Sequence, residues 1–401
     1  MSIESEVPTT SATAARRFAI RLSLFYAAIF GLMGAHLPFF PVWLKAIGID
    51  AGWIGAIVAV PSATRFTILP LVTGFAGRRR SLRGVLIVLA LLTGAGFLVT
   101  GGAREALLVL VLFAVTACTW TPILPLTESY ALQGVTRHRL HYGPLRLWGS
   151  IAFVAGTLGA GLVVDWLAPV HLVWIMVGLA GLGAAFSLGL QPLPPPDAAR
   201  ATSAARLHLL RQPGFAAVIA AAALIQGSHA AYYSFASIAW QGAGYGGATI
   251  AALWVLGVVA EIVLFAVSPR LSIPPVAMIA IGAASGVVRW LVTALQPPLP
   301  WLATVQLLHA LTYGMTLLGT MALLVRLVPG HAMTQAQGYL TALTGLVMSG
   351  ASIVSGLLYA TGGESVYWFA AVMAGAGGAV AWFARRRFEG ADQPHNRASG
   401  G

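Results

Sequence analysis

The chain has 401 residues, of which 58% are hydrophobic and only 8% are charged. Soluble domains average about 25% charged residues, so this composition excludes a soluble fold and indicates an integral membrane protein. The formal net charge is +12, but the arginines fall in loops between apolar runs, which makes membrane topology a simpler explanation than nucleic-acid binding.

Apolar runs long enough to cross a bilayer recur along the whole chain. A membrane-spanning helix needs about 20 mostly apolar residues. The first run is too long for a signal-peptide core, so we interpret it as a retained span. The sequence predicts twelve spans, which cover roughly residues 19–46, 50–75, 84–102, 106–131, 143–167, 169–190, 214–240, 249–269, 275–296, 300–326, 335–361 and 365–384.

Basic residues alternate regularly between the loops. They lie before span one and after each even-numbered span, for example at Arg16, Arg137 and Arg385, whereas the opposite loops hold only Lys45 and Arg104. The positive-inside rule therefore predicts that both termini are cytoplasmic. If one span were missed or wrongly added, the later basic clusters would lie on the wrong side of the membrane. The alternation therefore independently supports a count of twelve spans.

The longest connector divides the chain into two groups of six spans. It covers residues 191–213 and contains a proline run, which favours an extended, semi-rigid segment. The sequence thus predicts an all-α membrane protein with a cytoplasmic tail (1–18), an N-terminal half (19–190), this linker, a C-terminal half (214–384) and a second cytoplasmic tail (385–401).

Several chemistries have no sequence support. The single cysteine, Cys118, excludes an intramolecular disulfide and a cysteine-based metal cluster. The glycine-rich stretch 242–247 matches the letters of a dinucleotide fingerprint, but it follows no strand, and Lys45 is not part of a phosphate-binding loop. We expect no metal, no cofactor and no nucleic-acid partner.

Six ionisable residues lie where lipid is expected. A charge inside the bilayer costs several kcal/mol, so such residues usually face a protein interior or an aqueous cavity. They are therefore candidate functional residues of a membrane transporter. These residues are Arg65, Glu128, Arg146, Glu261, Arg289 and His309.

Glu128 and Arg146 flank the short turn between spans four and five. Residues 18 apart around such a turn can lie at similar depth on antiparallel helices, so the two charges can neutralise each other. A planar guanidinium can also bind a carboxylate or hydroxyl groups of a solute. The alternative is an ordinary ion pair near the membrane interface.

Glu261, Arg289 and His309 lie near mid-depth in spans eight, nine and ten. They can therefore meet at one level, where a carboxylic acid can hold a proton in one state and release it in another. The alternative is a static network that neutralises charge and fixes helix packing.

Two further features point to a solute pocket. Arg65 has no acid in its own helix, so it pairs with an acid of another helix, binds an anion, or extends to the interface. In span seven, His229 is followed by Tyr232 and Tyr233, an arrangement suited to a cavity wall or to aromatic core packing.

Several segments together resemble a known family. The stretch Gly74-Phe-Ala-Gly-Arg-Arg-Arg80 partly matches the loop signature of the major facilitator superfamily, with Gly77 in place of its acid. More specific are Leu145-Arg-Leu-Trp-Gly-Ser-Ile151, His229-Ala-Ala-Tyr-Tyr-Ser-Phe235, Leu253-Trp-Val-Leu-Gly-Val-Val-Ala-Glu261 and Leu308-His-Ala-Leu-Thr-Tyr313. Over residues 20–385 the chain is similar to the phenylpropionate permease group, which is related to the lactose permease.

This resemblance implies a proton-coupled symporter whose solute site lies between the halves. It implies sugar-type binding positions at Glu128 and Arg146, and proton-coupling positions at Glu261, Arg289 and His309. The lactose permease has a proton-carrying acid one turn after its span-ten histidine, where this chain has Thr312. Proton coupling must therefore use another group, and we expect Glu261.

We therefore expect secondary active transport, with an aromatic monocarboxylate such as phenylpropionate as solute. The predicted solute-binding residues are Arg65, Glu128, Arg146, His229, Tyr232 and Tyr233.

A sugar or nucleoside symporter is the alternative function, as is an exporter on the same fold. A membrane enzyme using His309 or His229 as base is disfavoured because the polar groups are scattered at mid-depth. A sensor or assembly protein with a transporter fold is a further alternative. We expect a monomer in a bacterial inner membrane, with a small solute, a proton and lipid as its partners.

Overall fold

The computed structural model describes residues 12–78, 81–193 and 209–389, and within these ranges the chain is helical without strands. The α-helices are α1 (Ala12–Ala46), α2 (Ala51–Thr67), α3 (Leu69–Arg78), α4 (Leu82–Gly102), α5 (Ala106–Trp120), α6 (Ile123–His138), α7 (Tyr142–Val164), α8 (Leu172–Leu188), α9 (Pro213–Gly227), α10 (Ala230–Gly242), α11 (Gly247–Val267), α12 (Pro275–Ala294), α13 (Leu299–Leu307), α14 (Thr316–Leu327), α15 (Met333–Gly362) and α16 (Val366–Glu389). A π-helical turn, Ala310–Met315, precedes α14.

The predicted twelve-span, all-α fold is confirmed for the described residues. Ten stretches there are long and apolar enough to cross a membrane, and a bent pair, α2 with α3, can form one more. One of the ten stretches, Gly330–Arg386, is 57 residues long and contains α15 and most of α16. Counting these two helices separately and the bent pair once gives twelve.

Four of the spans are interrupted near mid-length. The bend between α2 and α3 measures 46°, and it immediately precedes Pro70, which lacks the N–H that would continue the helical hydrogen bonds. Further breaks separate α5 from α6, α9 from α10, and α13 from α14. Backbone irregularity at membrane depth is tolerated where it is buried in protein or lines a cavity, so we expect these breaks to face the interior of the helix bundle.

Apolar packing differs between the two ends of the molecule. At one end a single core joins both groups of spans, with Trp43 and Phe113 packed in one cluster with Trp240 and Tyr367. At the other end there are two separate cores, one built from residues 18–190 and the other from residues 209–388. The molecule is therefore closed at the end that the basic loops predict to be external, and divided at the opposite end.

Close backbone approach seals the closed end. A Cβ atom added at Gly55 in α2 would lie 2.5 Å from the carbonyl oxygen of Ser352 in α15, so only glycine permits this crossing. At a second crossing, the Asp165 carboxylate at the end of α7 accepts hydrogen bonds from the N–H groups of Gly247 and Ala248 at the start of α11. A carboxylate is favourable at a helix N-terminus, so this contact ties the two groups of spans together.

Parts of the predicted domain plan fall outside the described residues. These are residues 1–11 and 390–401 of the tails and residues 194–208 of the linker, together with Arg79 and Arg80 of the loop signature. Helix α1 begins at Ala12, within the predicted N-terminal tail. The sidedness of the termini stays a prediction.

Candidate functional site

Glu128 and Arg146 form the ion pair that their spacing predicts. The Arg146 Nε donates to Glu128 Oε1 at 3.0 Å, and the two side chains are 30% and 28% exposed. The guanidinium also lies over the Phe30 ring, 4.1 Å from its centre. This positive charge is therefore already balanced by a carboxylate and by an aromatic face.

Two tyrosines complete the shell of Glu128, and sequence reasoning missed both. The Tyr26 hydroxyl donates to Oε2 at 2.9 Å, and the Tyr142 hydroxyl donates to the same oxygen. Tyr142 lies four residues before Arg146, on the same helix face, so the spacing held a usable signal. Tyr26 comes from α1 with no signal in the local sequence.

Arg289 is completely buried, and neutral acceptors hold its guanidinium. One terminal nitrogen lies 3.0 Å from His309 Nδ1 and 3.3 Å from Thr312 Oγ1, and the other donates to Gln306 Oε1 at 2.9 Å. The guanidinium also lies 4.6 Å from the centre of the Tyr232 ring. No carboxylate bonds to it within the described residues, so its charge is dispersed over dipoles and π-faces.

His309 connects this arginine to Glu261, so the predicted three-residue cluster is assembled. Because arginine can only donate, Nδ1 of His309 acts as an acceptor and the ring proton of the neutral histidine is on Nε2. That nitrogen faces Glu261 Oε2 at 3.5 Å. The contact is long, so the carboxylate is only loosely held.

Thr312, where the lactose permease has an acid, is a bridge in this structure. Its hydroxyl lies 3.0 Å from His229 Nε2 and accepts from Arg289 at 3.3 Å. His229 Nδ1 faces two backbone carbonyl oxygens, so it carries the ring proton and Nε2 accepts from the threonine. The sequence indicated the missing acid at this position but not the bridge.

The predicted aromatic wall is only partly accessible. Both His229 and Tyr232 are buried, with Tyr232 packed against Arg289 and 4.5 Å from the Trp254 ring. Tyr233 is half-buried and stacks on the His229 ring at 5.8 Å. Tyr232 and Tyr233 are adjacent in α10, and neighbouring side chains of a helix point in different directions, so one faces the core and the other is partly accessible.

Arg65 lies in the last turn of α2, directly before the bend, and its side chain is exposed. Its Cβ packs close to Gly345 of α15. Within the described residues it makes no hydrogen bond and no ion pair. Pairing with an acid is therefore not seen within the described residues, and the other two alternatives stay predictions.

This arrangement defines the protein's class. The hydrogen-bonding groups of His229, His309 and Thr312 lie at interruptions of membrane-spanning helices, and two groups of spans are packed together at one end and separate at the other, as in secondary transporters. Within the described residues no three His, Cys, Asp or Glu side chains lie close enough to hold a metal ion.

Comparison with known proteins identifies the family. Residues 19–371 match the model of the MFS_1 like family, and the chain belongs to this family of the major facilitator superfamily. It is 34% identical over 363 residues to a probable 3-phenylpropionic acid transporter of Escherichia coli K12, covering 88% of this chain and 94% of that protein. A maltose permease of Geobacillus stearothermophilus is 33% identical over 149 residues, or 36% of this chain and 37% of the permease.

Solved structures confirm the fold alone, because their sequences are distant. A nucleoside transporter, in a single-residue mutant form, superposes with a TM-score of 0.78 at 14% identity, covering 94% of this chain and all of that chain. A D-xylose–proton symporter superposes with a TM-score of 0.71 at 13% identity, covering 91% and 97%. The chain is a transporter, not an enzyme, and a multi-pass membrane protein; a bacterial inner membrane is consistent with the Escherichia coli relative.

Proposed function

We propose that the protein is a proton-coupled symporter of a small organic solute, with an aromatic monocarboxylate such as phenylpropionate as the favoured class. The observation that carries the proposal is the loosely held carboxylate of Glu261. Residues 214–384 contain only one other acid, Glu364, which lies in the turn between α15 and α16. Glu261 is therefore the one proton acceptor with carboxylate chemistry inside this half of the bundle.

The proposed coupling follows from the cost of buried charge. An ionised Glu261 accepts from the Nε2–H of His309, while a protonated Glu261 is neutral and can enter a dry interface between the halves. Protonation on the acidic side therefore permits the halves to change their contacts around the bound solute. Arg289 fixes the His309 tautomer and so keeps a donor pointed at the carboxylate.

Two features support an aromatic acid as the solute. Arginines and aromatic rings occur together at the helix interruptions, which suits an anionic group attached to an apolar ring. The relative that spans nearly the whole chain is named for 3-phenylpropionic acid.

A sugar or nucleoside is the second candidate. The Glu128–Arg146 pair offers both acceptor and donor atoms, as hydroxyl-rich solutes require, and both side chains are partly exposed. The direction of transport depends on the solute and proton gradients and on the affinities at the two sides of the membrane. Export by the same fold is therefore an alternative to uptake.

The test is solute uptake by purified protein in liposomes, with an imposed pH gradient that is acidic outside. Wild type is expected to accumulate 3-phenylpropionate above equilibrium, and accumulation is expected to collapse when the gradient is dissipated. Glu261→Gln is expected to keep solute exchange across the membrane but to lose accumulation. Glu364→Gln is the matched control because it makes the same change in a loop.

Full accumulation by Glu261→Gln would show that the coupling role is assigned wrongly. Accumulation of a hexose or a nucleoside, with no uptake of the aromatic acid, would replace the favoured solute by the second candidate. Uptake that does not respond to the pH gradient would remove proton coupling altogether.

A further inference from the structure

Four acids lie in short connections at the closed end of the molecule, namely Asp50, Glu105, Asp165 and Glu364. Asp50 and Glu105 accept hydrogen bonds from N–H groups at the start of α2 and α5, the helices that directly follow them. Glu364 accepts from Gln296, which belongs to the same group of spans. Of these four acids, only Asp165 bonds to the other group of spans.

Asp165 caps a helix of the other group with both of its carboxylate oxygens. Oδ1 accepts from the Gly247 N–H at 2.5 Å, and Oδ2 accepts from the Ala248 N–H at 3.0 Å. The first N–H groups of a helix have no partner within it, and the residue before α11, Gly246, has no side chain that could cap them. A Cβ atom added at Gly246 would lie 3.1 Å from Oδ1, so this glycine also leaves room for the carboxylate. The cap of α11 is therefore supplied by the other half of the molecule.

The backbones of α7 and α11 touch one turn before Asp165. A Cβ atom added at Gly161 would lie 2.5 Å from the carbonyl oxygen of Gly247, so only glycine permits this crossing. Arg146 lies on α7 and Glu261 lies on α11, so the two joined helices carry residues of both polar clusters. Alternating access requires the halves to separate at this end, and that separation pulls α7 and α11 apart.

We propose that the Asp165 carboxylate is a latch, which holds the closed end shut through α11 and is released each time this end opens during transport. The latch acts on the equilibrium between the closed and open states. It therefore requires neither a particular solute nor proton coupling, and it can fail or stand independently of the proposed function.

The latch stabilises only one of the two states. When the end opens, water replaces the carboxylate at the first N–H groups of α11, and the charge-assisted contact with the helix N-terminus is lost. A capping side chain changes an equilibrium constant by about two- to thirtyfold. Loss of the latch should therefore raise the ratio of open to closed molecules by this factor.

The experiment measures the distance between two spin labels by double electron–electron resonance, on the full chain in lipid nanodiscs. The labels are attached through Gly102→Cys and Gly242→Cys, in a Cys118→Ser background that removes the single native cysteine. These glycines are the exposed last residues of α4 and α10, one in each group of spans at the closed end. A Cβ atom added at either position meets no other part of the protein within 4 Å.

Asp165→Ala removes both acceptors and is expected to raise the ratio of long to short distances about two- to thirtyfold. Asp165→Asn keeps one acceptor oxygen without the charge, so an intermediate rise is expected. Glu105→Ala is the matched control, because Glu105 is also exposed and accepts from two N–H groups, but within its own group of spans. It is expected to lower the melting temperature about as much as Asp165→Ala does and to leave the distance ratio unchanged.

Gly55→Ala supplies a second background in which the open state is more populated. Its added Cβ atom pushes α2 away from α15 at a different crossing of the closed end. Asp165→Ala is expected to raise the ratio by a similar factor there, because the two sites lie on separate helix pairs.

An unchanged distance ratio for Asp165→Ala in both backgrounds refutes the latch. Equal rises for Asp165→Ala and Glu105→Ala refute it as well, since both would then reflect a general loosening of the closed end. Loss of the pH response in the uptake assay, with the distance shift of Asp165→Ala retained, would overturn the proposed function alone.

Discussion

The polar clusters of the two groups of spans satisfy their charges in opposite ways. In the N-terminal group, Glu128 and Arg146 neutralise each other, and two tyrosine hydroxyls complete the carboxylate shell. In the C-terminal group, Arg289 is buried among neutral acceptors, while Glu261 is held by a long contact to His309. The charges of the first cluster already balance each other, whereas the second cluster can gain or lose a proton without breaking an ion pair.

Removal of Arg289 is expected to have the largest effect. Arg289→Gln leaves the buried acceptors of His309 and Thr312 without their donor and frees the His309 tautomer. We expect proton-driven accumulation in liposomes to fall about a hundredfold, corresponding to ~3 kcal/mol for a buried, hydrogen-bonded charge. The same substitution at Arg270, an exposed loop residue, should leave accumulation unchanged; equal loss in both variants would contradict the comparison.

Breaking the N-terminal pair is expected to have the next largest effect. Glu128→Gln leaves Arg146 without a counter-charge, so we expect a loss of about 1–3 kcal/mol in the free energy of unfolding, limited by the partial exposure of both side chains. The double change Glu128→Gln/Arg146→Gln should recover part of that loss, because neither charge is then unpaired. Thermal denaturation of Glu128→Gln, Arg146→Gln and the double variant in one detergent measures this coupling; strict additivity would show that the two charges are not coupled.

A carboxylate placed next to Arg289 should make the C-terminal cluster resemble the N-terminal one. Thr312→Asp is close in size to the native residue and puts an acid where the Thr312 hydroxyl lies 3.3 Å from Arg289. In the Glu261→Gln background we expect partial recovery of accumulation, because a second group can then hold the proton. The uncharged control is Thr312→Asn in the same Glu261→Gln background. Recovery of accumulation in this control would contradict the explanation.

The smallest expected effects compare one hydroxyl from each cluster. Thr312→Val removes a fully buried bridge between Arg289 and His229, so we expect a loss of about 1 kcal/mol in the free energy of unfolding. Tyr142→Phe removes one of several donors to a partly exposed carboxylate that water can reach, so we expect less than about 1 kcal/mol. Paired melting curves decide the order, and a larger loss for Tyr142→Phe would reverse the comparison of the two clusters.

Pairings within a short range of sequence were predictable. Glu128 and Arg146 are 18 residues apart around one turn, so helix geometry alone brings them to similar depth. Glu261, Arg289 and His309 could be placed at one level by counting residues into each span. Contacts with Tyr26 and Arg65 were not predictable in this way, because they join distant parts of the chain and depend on how the helices pack.

Helix interruptions were the main feature that sequence patterns did not reveal. The apolar runs at spans two, seven and ten are continuous, yet the structure bends or breaks them at Arg65, His229 and the turn containing Tyr313. Hydropathy measures the cost of transfer into lipid and is insensitive to local backbone geometry. The interruptions determine which side chains face the central region.

The sequence by itself determined that the chain crosses a membrane about twelve times and that a few ionisable groups lie within the spans. It could do so because burying charge in lipid is costly and basic loops reveal topology. Only the tertiary structure decided which of Arg65, Arg146 and Arg289 makes no hydrogen bond or ion pair within the described residues, and that Thr312 bridges where an acid was expected. Those outcomes depend on distances between side chains of different helices, which are set by packing rather than by the order of residues along the chain.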